Sequence, residues 1–255
     1  MERMPVVFVG HGSPTNVVEE NRFTRGWKDL SKTIPLPEAI LCVSAHWYGE
    51  GTVVSAAEEP ETIHDFYGFP QELYRVVYPA PGAPETANRA AALLGERARI
   101  DPARGLDHGA WSVLHFMYPQ AEIPVCQLSV DARLSTRQSY DLGRALRPLR
   151  DEGVLILGSG DIVHNLARVD WGKTDGYAWA DEFDAYVRAA IVEGRHEDVI
   201  EYQKAGPISE LAFTYRDHYE PLLYVLGAAE EGEPARVFND ARVMGSLSMT
   251  SSVIG

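Results

Sequence analysis

The chain has 255 residues, 45% of them hydrophobic, and a formal net charge of -14. That length supports one substantial core, read as a single domain over residues 1–255. The acidic balance, with no basic stripe, speaks against nucleic-acid binding, which runs on clustered Lys and Arg, and against anionic membranes. No apolar run approaches the roughly 20 residues of a spanning helix, and no charged-then-apolar leader opens the sequence. Cys42 and Cys126 both lie in apolar runs outside any C-x-x-C pattern. They read as buried free thiols in a reducing compartment, so a cytoplasmic protein is expected.

In chain order, VVFVG (6–10) is the first predicted strand, and it stops at His11, held between Gly10 and Gly12. AILCVSA (39–45) is the second and ends at His46; TVVSA (52–56) is the third. A loop dense in aromatics, TIHDFYGFP (62–70), precedes a helix over 83–98 with Pro84 and Glu85 in its first turn. A further helix is read over 109–118, entered through His108. PVCQLSV (124–130) is the fourth strand, followed by a helix over 135–153 with Ser135 as N-cap and Gly153 at its end. VLILGSG (154–160) is the fifth strand, with His164 a short turn beyond it. Helices follow over 177–194 and 216–229, the second starting close to Pro221, and weaker strands over 235–238 and 246–252.

Strands alternating with helices predict an α/β fold: a mixed, mostly parallel sheet with helices on both faces. Ligands of such sheets sit beyond the carboxyl ends of the strands. His11, His46 and His164 all fall there, so three imidazoles on one edge read as a metal site. A single histidine more often serves as a hydrogen-bonded polar residue or a helix cap. His196 reads as a solvated helix residue, and His115 as a residue of the core or just behind the site. His218 stands at a helix entrance. His108, followed by Gly109, reads either as a cap or as an exposed proton donor. His64, with Asp65 beside it to orient it, reads with Phe66, Tyr67 and Phe69 either as the lining of a ring-shaped pocket or as a packed aromatic corner. An all-imidazole site suits Zn, Fe, Cu or Ni, not Mg or Ca.

Seven short motifs run in order along nearly the whole chain: GHGSP (10–14), SAHW (44–47), TIHDFYGFP (62–70), DHGAW (107–111), VHNL (163–166), DHYEPLLYVLGA (217–228) and MGSLSM (244–249). Together they resemble the class III extradiol ring-cleavage dioxygenases, in the branch of bacterial 4,5-DOPA-extradiol-dioxygenase-like proteins. The resemblance implies a single-domain α/β fold, one divalent metal, and insertion of both atoms of O2 into a catechol beside its two hydroxyls, giving a ring-opened semialdehyde. Fe(II) is implied for ring cleavage; zinc outcompetes ferrous iron for nitrogen ligands, so Zn(II) is the alternative occupant to expect after purification in air. The implied ligands are His11, His46 and His218. His164 is either a fourth ligand or the acid/base group beside the metal. His218 is preferred to the nearby Glu220, although other class III enzymes supply a glutamate. His164 and His108 are the candidate acid/base residues. His64, Phe66, Tyr67 and Asn165 are the candidate substrate contacts, Asn165 alternatively being a helix cap. The expected partners are a small catechol and O2, with no nucleic acid or membrane, in a monomer or small homo-oligomer.

Three other readings compete with this one. A tetrapyrrole metal chelatase would account for GHGS but not for SAHW, VHN or DHYEPLLY. A zinc hydrolase or lyase could use the same histidines to activate water. A binding protein on a relic fold would be expected to lack a ligand, yet all four candidate histidines are present.

Overall fold

Residues 3–255 are described by the computed structural model. Its first half contains β1 (Val6–Gly10), α1 (Arg22–Ser31), β2 (Ala39–Gly49), β3 (Thr52–Ser55), α2 (Pro84–Leu94), β4 (Ala98–Asp101), α3 (His108–Met117) and β5 (Val125–Asp131). The second half contains α4 (Thr136–Leu146), β6 (Val154–Gly160), α5 (Ala178–Val192), α6 (His196–Ile200), α7 (Glu220–Ala228), β7 (Ala235–Phe238), β8 (Arg242–Val243), β9 (Leu247–Ser248) and β10 (Ser251–Ile254). Eight strands form one sheet in the order β4-β3-β5-β2-β6-β1-β10-β7, while β8 and β9 pair separately. The centre, β5-β2-β6-β1, is parallel. Antiparallel pairing enters where β3 meets β5 and where β10 meets β1.

The central strands are apolar without alternation because both of their faces are covered. Val6, Phe8, Leu41, Val43 and Ile156 point into a core with residues of α2, α4, α5 and α7. Val7, Val9, Ile40, Cys42 and Leu157 point into a second core with α1 and α3. Cys42 and Cys126 are both buried and free, and they lie in different cores on opposite faces of the sheet. The expected mixed, mostly parallel sheet with helices on both faces is therefore what the chain forms. No helix among the described residues is long and apolar enough to cross a membrane.

Several boundaries differ from the sequence reading, each for a local reason. The helix expected over 83–98 stops at Leu94, because Gly95 takes a positive φ of 66° and the chain turns into the unpredicted β4. The helix expected over 135–153 is α-helical only to Leu146. A 3-10 stretch carrying Pro148 follows, and Gly153 closes it in the left-handed region. Residues 246–252 divide between β9 and β10. α1 was missed, since Phe23, Trp27 and Leu30 are its only large apolar side chains. Its usable signal is the capping box between Asn21 and Thr24.

His46 does not end β2. The strand continues to Gly49, with an irregularity between Val43 and Tyr48 before pairing with β5 resumes. A break of this kind re-aims the side chains within it, and His46 is delivered by that break instead of by a strand end.

Candidate metal centre

The imidazoles come from five separate segments. His11 follows β1, His46 lies in the irregular part of β2, and His108 is the first residue of α3. His164 lies beyond β6, where its N–H donates to the Ala212 carbonyl at 2.8 Å. His218 stands two residues before α7, whose start is set by Pro221 in its first turn. The chain leaves His11 through Gly12, whose φ of +60° is the left-handed region that a side chain disfavours.

His11, His46 and His218 each bring a ring nitrogen to within 4.8 Å of the others. Their ring centroids form a near-equilateral triangle with sides of 5.0, 5.2 and 5.0 Å. His164 lies flat on His218, with centroids 3.5 Å apart and planes 7° from parallel, and its ligand atom groups with those of His218 and Asp161. His108 lies 3.8 Å from His46, centroid to centroid.

Hydrogen bonds decide where the ring protons sit. Ser159 Oγ donates to the Gly109 carbonyl at 2.5 Å, so it must accept from His11 Nδ1 at 3.0 Å. The Nε2 of His11 is thereby left as a lone-pair donor. It faces the Nε2 of His46 at 3.1 Å. The Nδ1 of His46 lies 3.1 Å from Asp65 Oδ2, which can only accept while ionised. Two unprotonated nitrogens aimed at each other repel, unless a cation lies between them. Two ligands about 2.1 Å from one ion can stand at most about 4.2 Å apart, so this pair is close enough to share one. Outer acceptors that fix the tautomer of ligand histidines are a regular feature of metal sites.

Electrostatics agrees with neutral, metal-ready imidazoles. Burial, reinforced by the neighbouring histidines, lowers His11 and His218 well below the usual imidazole range. Burial pushes His164 down to about 4. His108 is lowered by burial and by His46, against the opposing pull of Asp65. Partial burial would raise Asp65, but hydrogen bonds from His108 and His46 outweigh it and hold this carboxyl far below the ordinary range. Asp161 is pushed well up by burial, and its Oδ2 has no hydrogen-bond partner.

The remaining sequence-derived candidates fall in varied places. The His108 side chain is 4% exposed, so its ring is buried and not solvent-facing. The cap of α3 is Asp107, whose Oδ1 accepts from Ala110 N. Asp65 does not orient His64. Asp65 turns to His46 and His108, while His64 Nε2 meets the Val76 carbonyl at 3.0 Å. His64 also packs beside Phe66, Tyr74 and Trp111, so the aromatic loop is in part the packed corner. Phe66 does reach the cluster, edge to face with His108 at 5.4 Å. Tyr67 is 91% exposed. Asn165 stands at the N-cap position of a 3-10 turn over Leu166–Arg168, but its side chain makes no capping bond; its Nδ2 donates to the Leu211 carbonyl, and its Oδ1 is buried without a partner. Glu220 turns away from the cluster toward Arg216, at 3.2 Å. His115 packs edge to face on Phe116, and His196 bonds the Tyr140 hydroxyl instead of standing in solvent.

The packing behind His46 is tight enough to test. A Cβ on Gly109 would lie 2.5 Å from Ser44 Oγ and 2.9 Å from His46 Cδ2. Gly109→Ala is therefore expected to displace the His46 ring and weaken zinc binding by roughly the 10–100-fold typical of a disturbed supporting partner. Chelator competition measures this, and unchanged affinity would show that the ring is not held as described.

Comparison with known proteins places this geometry. Residues 5–253 match the family described as the catalytic LigB subunit of aromatic ring-opening dioxygenase. An Escherichia coli K12 protein named 4,5-DOPA dioxygenase extradiol is 47% identical, over 99% of this chain and 95% of its own length. A Beta vulgaris protein of the same name is 40% identical, over 96% of this chain and 94% of its own. The crystal structure of an uncharacterized protein from Escherichia coli K12 superposes with a TM-score of 0.87 at 41% identity, covering 99% of this chain and all of that one. With its five converging imidazoles and this match along almost its full length, the chain belongs to the LigB family of aromatic ring-opening dioxygenases.

Proposed function

We propose that this chain opens the ring of a DOPA-like catechol beside its two hydroxyls, adding both atoms of O2 to give a ring-opened semialdehyde. One divalent ion would be held by His11, His46 and His218, with His164 completing the nitrogen set or exchanging protons beside it. The observation that carries this reading is the convergence of the His11 and His46 lone pairs, both enforced by hydrogen bonds on the far side of the rings. Bound there, Fe(II) would supply the electron transfer between catechol and O2 that a d¹⁰ zinc ion does not.

The protein's own groups account for the rest of the reaction. His108 keeps Nδ1 on Asp65, which leaves Nε2 to take a hydroxyl proton from the catechol and return it to the opened product. Its lowered basicity keeps the ring neutral and able to accept that proton. Phe66, edge-on to His108, offers an apolar wall to an aromatic substrate. The free thiols of Cys42 and Cys126 fit a cytoplasmic setting.

Stripped protein given Fe(II) without oxygen, then exposed to O2 and DOPA, is expected to form a yellow semialdehyde with one O2 consumed per catechol. The zinc form should bind catechol and consume no O2. An iron form silent across a panel of catechols, beside a zinc form that hydrolyses an ester or amide, would replace this reading with the hydrolase.

A further inference from the structure

The geometry points to Asp65 as a positioning residue that sets, through one carboxylate, the proton positions of both a metal-binding and a proton-transferring histidine. The inference rests on the roles proposed above for His46 and His108.

Each oxygen of the carboxylate has its own task. Oδ1 accepts from the backbone N–H of His108 at 2.8 Å and stands 3.0 Å from His108 Nδ1. Oδ2 stands 3.1 Å from His46 Nδ1. The backbone N–H is a donor that cannot change character, so Oδ1 must be an acceptor. An ionised carboxylate offers only acceptors. Both rings are therefore held with the proton on Nδ1 and Nε2 free, His46 for the ion and His108 for the catechol. The two rings are 3.8 Å apart, so a single residue also sets their spacing.

The loop that carries Asp65 is fastened on both sides. Ile63 N donates to the Leu106 carbonyl at 2.7 Å, and the Ile63 carbonyl accepts from Trp111 Nε1 at 2.8 Å. His64 bonds the Val76 carbonyl on the opposite side of the segment. These contacts tie the carboxylate to the start of α3 and leave its side chain 21% exposed. A substitution there changes hydrogen-bond character with little loss of buried packing.

Asp65→Asn separates the two tasks. The amide oxygen must stay at the Oδ1 position to satisfy the backbone N–H, which puts the amide N–H2 against His46 Nδ1. That nitrogen must then accept, and the His46 proton moves to Nε2, the atom that faces His11. His108 keeps its acceptor and its tautomer. The variant should thus damage the metal site selectively, in the manner of other lost carboxylate partners of ligand histidines.

The test is imidazole nitrogen NMR on metal-free protein, at a pH where the rings are neutral, with zinc affinity measured in parallel. Wild-type protein should show His46 and His108 protonated at Nδ1. In Asp65→Asn, His46 should switch to Nε2–H while His108 does not, and zinc affinity should fall by roughly 10–100-fold. Asp65→Ala should release the His46 proton to Nε2, where His11 Nε2 accepts it, and leave His108 as a tautomer mixture. A His46 tautomer unchanged by Asp65→Asn, with wild-type zinc affinity, overturns the inference, as does wild-type protein with either ring protonated at Nε2. None of these readouts uses turnover. A protein with the expected tautomers and no ring cleavage would refute the proposed reaction and leave the role of Asp65 standing.

Discussion

Replacing His11 or His46 with alanine is expected to leave a folded chain that no longer holds a stoichiometric divalent ion. Each contributes one of three converging nitrogens, and their Nε2 atoms are 3.1 Å apart. Loss of a ligand should exceed the roughly 10–100-fold cost of losing an outer partner. Ring cleavage should disappear with the metal. The fold should survive, because the cores on the two faces of the sheet are built from apolar side chains and do not depend on these rings. Removing one ring also relieves the crowding of neighbouring imidazoles. Metal analysis and thermal melting with and without zinc check this together. Wild-type protein should gain stability with zinc, as any ligand of the native state confers, and the variants should not. Full occupancy in both variants would remove His11 and His46 from the site.

His108→Ala should behave in the opposite way. It is expected to retain metal while turnover falls by roughly 10²–10⁴, the usual cost of a missing acid/base group. The expectation follows from its position beside His46 but outside the three-histidine grouping, with Nδ1 committed to Asp65. Removing the ring frees Oδ1 of one contact but leaves the backbone N–H of residue 108 on it, so Asp65 should still hold His46. Metal content, catechol binding and single-turnover rates separate the effects. A loss of metal equal to that in His46→Ala would make His108 a ligand, and near-wild-type turnover would make it a packing residue.

Much of this arrangement was legible from the chain. The runs at 6–10 and 154–160 reproduce β1 and β6 residue for residue, because a strand covered on both faces carries no ionisable side chain and ends in the sequence where one first appears, at His11 and Asp161, although the fold buries both of these too. Placing His11 just past β1 needed only that rule, and the start of α7 near Pro221 needed only the geometry of proline. Predicted strand ends alone grouped His11, His46 and His164, and the motif resemblance added His218, whose place before a helix carries no metal signature of its own.

Tertiary structure alone decided the rest. The irregularity in β2 that aims His46 depends on where pairing with β5 fails and resumes, a long-range register that local pattern does not encode. The burial of His108 results from α3 packing beneath a loop some 40 residues earlier, so an entrance that looks open in sequence is closed in space. Asp65 was read with its neighbour His64 because chain adjacency is all that a sequence displays. In the fold the two side chains take different partners, His64 the Val76 carbonyl and the carboxylate His46 and His108. Sequence determined which residue types could bind a metal and roughly where the strands would leave them. The fold determined which nitrogen of His11, His46 and His108 carries the proton, because that depends on Ser159 and Asp65, which meet these rings only when distant segments pack.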